Sequence, residues 1–107
     1  MRKRRPFQLV YAPEVVRHLE GIERKHHGAI RQAIVKQLSH RPEVETRNRK
    51  TLRAPAPFEA TRELRCGPGH RFRVFYDVDR AARTVSILAV GTKEKEKLFI
   101  GGEEIKL

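Results

Sequence analysis

The chain has 107 residues, enough for one domain with one core and too few for two. Lys and Arg total 24 against 13 Asp and Glu, a net charge of +11, and that imbalance favours an anionic partner: nucleic acid, an acidic protein or a membrane surface. A single cysteine excludes an internal disulfide and a Cys-rich zinc site, and no apolar stretch approaches the ~18–20 residues of a membrane span, so the expectation is a soluble cytoplasmic protein.

Residues 1–6, MRKRRP, form a basic tail, expected to be flexible and to add weak phosphate affinity. The apolar run after it is broken by Gln8 and ends at Pro13, which does not fit a signal peptide. Phe7 to Tyr11 has strand composition. Pro13 suits the first position of a helix, with Glu14 favourable at the positive end of its dipole. Val15, Val16, Leu19 and Ile22 then fall at helical spacing. His26-His27-Gly28 breaks that pattern, and a second helix carries Ile30, Ala33, Ile34 and Leu38 on one face until Ser39-His40-Arg41-Pro42 stops it. Two amphipathic helices with a short break predict an αα-hairpin whose apolar stripe needs a partner.

Residues 43–57 read as a loop ending in Ala54-Pro55-Ala56-Pro57. Arg47, Arg49, Lys50 and Arg53 concentrate positive charge there, either solvated or widening a positive groove. Three extended runs follow. Glu59 to Cys66 ends at the chain reversal Gly67-Pro68-Gly69, His70 to Val78 is rich in Phe, Val and Tyr, and Thr84 to Val90 is apolar and closed by Gly91. They predict a three-stranded antiparallel meander. Cys66, at a strand end among apolar neighbours, reads as a small buried thiol.

Side chains alternate across a strand. If Leu64, Phe72 and Val74 face the core, then Glu63 and Arg65 share the opposite face with Arg71 and Arg73. Facing arginines repel. Either Glu63 partners them on a solvated face, or an anionic ligand relieves the repulsion. After Gly91, Thr92 to Ile100 reads as a short helix or an irregular tail, ended by Gly101-Gly102. Of the five histidines, adjacent His26 and His27 point apart on a helix and lack the acidic or Cys partners of a metal site. His70 is either a proton donor or acceptor beside the arginines or an exposed strand-end residue. No P-loop, GxGxxG, internal repeat or nucleophile triad pattern occurs.

The chain resembles the RelE/ParE superfamily of toxins from bacterial toxin–antitoxin modules. The residues that carry the resemblance are Leu64-Arg65, then Phe72-Arg73-Val74-Phe75-Tyr76-Asp77, then Ile87-Leu88-Ala89-Val90-Gly91-Thr92-Lys93-Glu94. The order of elements matches too, so the likeness covers nearly the whole chain as one domain, 1–107. It implies an α+β fold, an N-terminal strand and two-helix hairpin packed on an antiparallel sheet. It also implies a cognate antitoxin that folds around the toxin and, in the RelE branch, ribosome-dependent cleavage of mRNA without metal or other cofactor.

Arg73 matches the family's strand arginine at the scissile phosphate, Lys93 a basic position after the glycine, and Arg65 a shared Leu-Arg pair. Thr61 and Glu63 stand where RelE has two lysines, and Phe99 stands near a C-terminal tyrosine; phenylalanine can stack on a base but cannot move a proton. Some relatives use Glu as the base. The catalytic candidates are therefore Glu63, Arg65, His70, Arg73 and Lys93, and the RNA-binding candidates are Arg47, Arg49, Lys50, Arg62, Arg71, Lys95 and Phe99. Three functions remain open: an mRNA endoribonuclease, a ParE-like poison of DNA gyrase, or a non-catalytic module that binds RNA or the antitoxin.

Overall fold

A computed structural model describes residues 5–106, so most of the basic N-terminal tail lies outside the described residues. In chain order the elements are β1 (Gln8–Tyr11), α1 (Val15–Glu20), α2 (His27–Leu38), β2 (Arg49–Thr51), β3 (Arg62–Cys66), β4 (Phe72–Asp79), β5 (Thr84–Glu94), β6 (Lys97–Ile100) and β7 (Glu103–Ile105). Strands β2 to β7 lie side by side in sequence order, each antiparallel to the next. The expected α+β architecture is present: two helices on one face of a largely antiparallel sheet.

The eleven-residue β5 is the spine of the sheet. Strand β4 pairs along one of its edges. Its other edge is shared: β1 runs parallel to the first half, Gln8 opposite Thr84, and β6 runs antiparallel to the second half, Gly91 opposite Ile100. The partner of Phe75 is Ala89, but that of Tyr76 is Ile87, so Leu88 is an extra residue bulged out of the ladder. The bulge resets the alternation of β5. Val85 and Ile87 before it and Val90 after it all pack in the helix-side core, while Ala89 packs on the other face.

Apolar alternation explains which face the helices cover. Leu64, Phe72, Val74 and Tyr76 point at Ile30, Ile34 and Leu38 of α2 and at Val15 of α1. A smaller apolar cluster on the opposite face joins Phe75 and Ala89 to Ala60 and Ile100. The Tyr76 hydroxyl donates to the Pro42 carbonyl at 3.0 Å, fastening the sheet to the chain leaving α2, and burial pushes its pKa up to about 12. Cys66 is buried as expected, and its thiol is pushed up to about 11.

Four expectations are corrected. The segment read as a loop contains β2, which continues the ladder from β3, Lys50 opposite Glu63. The stretch after Gly91 is neither helix nor irregular tail: β5 runs on to Glu94 and turns into the β6–β7 hairpin. The Lys/Glu alternation there matches a hairpin whose tip, Lys95, adopts φ 55°. The helix break falls earlier, in a 3-10 turn over Arg24–His26, and α2 starts at His27, placing Gly28 inside it. The first two meander strands also start later, because Phe58, Glu59 and His70 adopt left-handed φ in turns before Arg62 and Phe72, while the third starts at Thr84 as expected.

Candidate functional site

Arg65 and Arg73 stand directly opposite one another on β3 and β4. Glu63, two residues before Arg65 and so on the same face, resolves the repulsion. Its Oε1 accepts from Arg65 Nε at 2.9 Å, and its Oε2 accepts from Arg73 Nη1 at 3.5 Å. Arg73 Nε also donates to the His70 carbonyl at 3.1 Å. The Glu63 and Arg73 side chains are only 9% and 13% exposed, against 34% for Arg65. Arg73 is thus aimed by two acceptors and a fixed strand, whereas Arg65 grips Glu63 from the outside.

Across the ladder Arg73 faces Gly91. A Cβ on Gly91 would lie 2.7 Å from the Phe99 carbonyl oxygen and 2.8 Å from Ile100 Cγ1, so only glycine lets β6 approach this closely. Two residues on, Lys93 returns to the same face. Arg73, Glu63 and Lys93 then line one open cavity of about 280 Å³, with Arg53 and Glu96 beside them and Phe75, Leu52 and Leu98 as apolar parts of its wall. Pro55 to Pro57 form another part of that wall. Three cations and two carboxylates around a small opening suit an anionic group that must also exchange a proton.

Of the five catalytic candidates, Glu63, Arg73 and Lys93 meet in this cavity. Arg65 reaches it through Glu63. His70 does not open a strand; it ends the turn before β4, and its backbone carbonyl is what holds Arg73. Among the RNA-binding candidates, Lys50 lies opposite Glu63 and is exposed, Arg47 is exposed in the loop before β2, and Lys95 is exposed at the hairpin tip.

The other four are placed differently from the sequence reading. Arg49 Nη1 donates to the Gln37 carbonyl at 2.5 Å and Arg62 Nη1 to the Glu43 carbonyl at 2.7 Å, so both tie the sheet to the end of α2 and the chain after it. Arg71 does not share a face with Arg73, because its backbone is still helical and the strand begins at Phe72. Its guanidinium lies over the Phe72 ring and 3.9 Å from Glu94. Phe99 pairs with Thr92, in the row that continues through Phe72 to Cys66, and so belongs to the helix-side face. Arg53 and Glu96 are cavity residues that the sequence reading did not place among its candidates. The basic run before the prolines was the only signal for Arg53, and Glu96 becomes visible only once β6 folds back.

No protein-family model matches the chain, and no curated protein does. Among solved structures, a chain of the toxin–antitoxin complex RelBE2 from Mycobacterium tuberculosis superposes with a TM-score of 0.68 at 25% sequence identity, covering 85% of this chain and 95% of that one. The resemblance read from the sequence is therefore matched in three dimensions over most of the chain: this protein has a RelE-like toxin fold.

Proposed function

We propose that this chain is the toxin of a toxin–antitoxin module and that it cuts mRNA on the ribosome without a metal ion. The observation that carries the reading is Arg73, the second residue of β4 with its side chain only 13% exposed, held by Glu63 and the His70 carbonyl, and turned to a cavity shared with Lys93. In such a reaction the ribose 2′-oxygen attacks the adjacent phosphorus. The O–P bond to the 2′-oxygen forms, the bond to the 5′-oxygen breaks, and a 2′,3′-cyclic phosphate and a free 5′-hydroxyl result. Glu63 takes the 2′-OH proton, since each carboxylate oxygen keeps a lone pair beyond the one its arginine uses. Arg73 and Lys93 stabilise the charge that develops on the phosphorane, Arg73 with a fork that can bind two oxygens at once. The ammonium of Lys93, or water, protonates the leaving oxygen. The ribosome supplies orientation, worth about 7–11 kcal/mol where geometry is ideal.

The antitoxin is the expected protein partner, and the surface supports one. Between β1, α1 and α2 runs an apolar groove of about 700 Å³, with Val16 64% and Val35 49% exposed beside it. An apolar surface of this kind on a chain of net charge +11 suits an acidic, amphipathic segment that covers it on the way to the basic cavity. None of the described helices is long and apolar enough to cross a membrane, and the reading places the protein in the cytoplasm with its ribosomal target. Primer extension on mRNA in a purified translation system tests the proposal. Discrete cuts that disappear with Arg73→Ala are expected. An uncut message with folded wild-type protein would shift the reading to a gyrase poison or a binding-only module.

A further inference from the structure

The strand ends that carry Arg73 and Lys93 on one side carry a second cleft on the other. It opens between the 3-10 turn before α2, the start of β4 and the β5–β6 ladder, with a cavity of about 240 Å³. We propose that this cleft binds a nucleobase. The proposal rests on the RNA-cutting reading for why a base would be nearby, but its chemistry stands on the residues themselves.

The lining carries both signs of charge. Arg71 and His26 face it together with Glu23 and Glu94, so a free phosphate would meet two carboxylates. A neutral heterocycle with donors and acceptors on its edges fits such a lining better than an anion does. Arg71 and Glu94 are 3.9 Å apart and 44% and 58% exposed, a pair too loose to be satisfied by itself and free to turn to a ligand edge.

The same cleft carries flat apolar surface. The Phe72 ring is buried beneath it, covered by the half-buried His26 ring at 5.0 Å and the Arg71 guanidinium at 5.4 Å, so the flat faces open to a ligand are those of exposed Arg71, of His26 and of half-buried Phe99 beside Thr92. Aromatic rings with an arginine plane are the common platform for single-stranded bases. The far wall is backbone. A Cβ on Gly21 would lie 2.9 Å from the Gly102 nitrogen, so the end of α1 seats directly on the Gly101-Gly102 turn and leaves no room for a side chain at Gly21. Proximity completes the case: the Lys93 N–H donates to the Arg71 carbonyl at 2.8 Å, and consecutive Lys93 and Glu94 face the two sites. A strand whose phosphate meets Lys93 can drop a neighbouring base over the strand ends into the cleft.

Nucleosides test this without engaging a phosphate site. Titration of isotope-labelled protein with guanosine, adenosine, cytidine and uridine, followed by NMR, should give saturable shifts at the Thr92, Gly101 and Gly102 amides, larger for the purines because they stack over more area. Phe99→Ala should weaken the binding on the order of tenfold, and Arg71→Ala, on an exposed side chain, should weaken it without unfolding the protein. In the translation assay Arg71→Ala should redistribute the cut positions, whereas Arg73→Ala should lower cutting at all of them. Nucleoside binding by a wild type that cuts nothing would keep the base site and remove the nuclease reading. No saturable shift with any nucleoside, or shifts confined to the Arg73 face, would overturn the base site even if mRNA is cut.

Discussion

The two faces of β3, of 5 residues, and β4, of 8, are built from alternate residues of the same two strands, yet they do opposite work. On the helix side Leu64, Phe72, Val74 and Tyr76 are at most 1% exposed and pack under α1 and α2. On the open side Glu63, Arg65 and Arg73 spend their side chains on one another, over a small apolar cluster around Phe75. The buried face fixes the backbone, and the fixed backbone aims the charged face. An arginine on a surface loop would have to be ordered on binding; Arg73 is ordered beforehand by strand pairing, by Glu63 and by a backbone carbonyl. The division is not clean, because Arg73 is itself mostly buried and belongs to both economies.

The largest effect should come from the helix side. Leu64→Ala removes a fully buried side chain between sheet and helices and should cost about 2–5 kcal/mol of stability, read in a urea melt, while residual folded protein keeps the cavity residues and their activity. A mild melt with lost activity would show that the two faces are not separable.

Arg73→Ala should act on both. Loss of phosphate stabilisation predicts a rate loss of about 10²–10³, equivalent to roughly 2–4 kcal/mol of barrier. Arg73→Lys should recover only part of it, since a point charge cannot replace a bidentate fork. A purely exposed strand arginine would leave stability untouched. Here Glu63 loses one of its two partners in a buried setting, so a further loss on the order of 1–3 kcal/mol is expected in the melt. Activity must therefore be measured at a temperature where circular dichroism shows the variant folded; wild-type cleavage by that folded variant would remove Arg73 from the chemistry.

Arg49 and Arg47 sharpen the contrast between structural and free cations two residues apart. Arg49→Ala should lose about 1–3 kcal/mol of stability by freeing the Gln37 carbonyl, with no change in the salt dependence of RNA binding. Arg47→Ala should leave stability within about 0.5 kcal/mol and reduce the logarithmic salt slope by about 1. A reversed pattern would mean that the guanidinium of Arg49 is available to RNA.

The mildest test uses pH. His18 of α1 is 4% exposed, and its Nδ1 accepts from the Val90 N–H at 3.3 Å, just past the bulge. Burial lowers its pKa below the ordinary 6.5, with Glu14 raising it and Arg17 lowering it to a smaller degree. Below 6.5 the unfolded chain therefore takes up a proton that the folded chain resists, so this contribution to stability is full above that pH and is lost as pH falls. His18→Gln should flatten the stability curve on the acid side relative to wild type; parallel curves for the two proteins between pH 7 and 5 would show that His18 is not strained by burial.

Local pattern made much of this legible. The alternation of Leu64, Phe72, Val74 and Tyr76 against Glu63, Arg65 and Arg73 needs only the period of two, and the stripe of Ile30, Ile34 and Leu38 needs only the helical period. The left-handed turns were harder to place, because a three-residue 3-10 turn after Gly67 moves the strand start past Arg71 and sends that side chain to the other face. Strand β2 was missed because three polar residues, Arg49 to Thr51, form a strand only by borrowing the ladder of β3.

The sequence by itself determined the fold class, the sign of the charge and the face on which Arg73 and Glu63 meet, since alternation and amphipathicity are local properties of the chain. The tertiary structure alone decided that Lys93 joins them. Counted with regular alternation from Val85 and Ile87, Lys93 would face the helices; the bulged Leu88 shifts the second half of β5 by one, because Val90 must enter the core under α1, and that shift carries Gly91 and Lys93 to the side of Arg73.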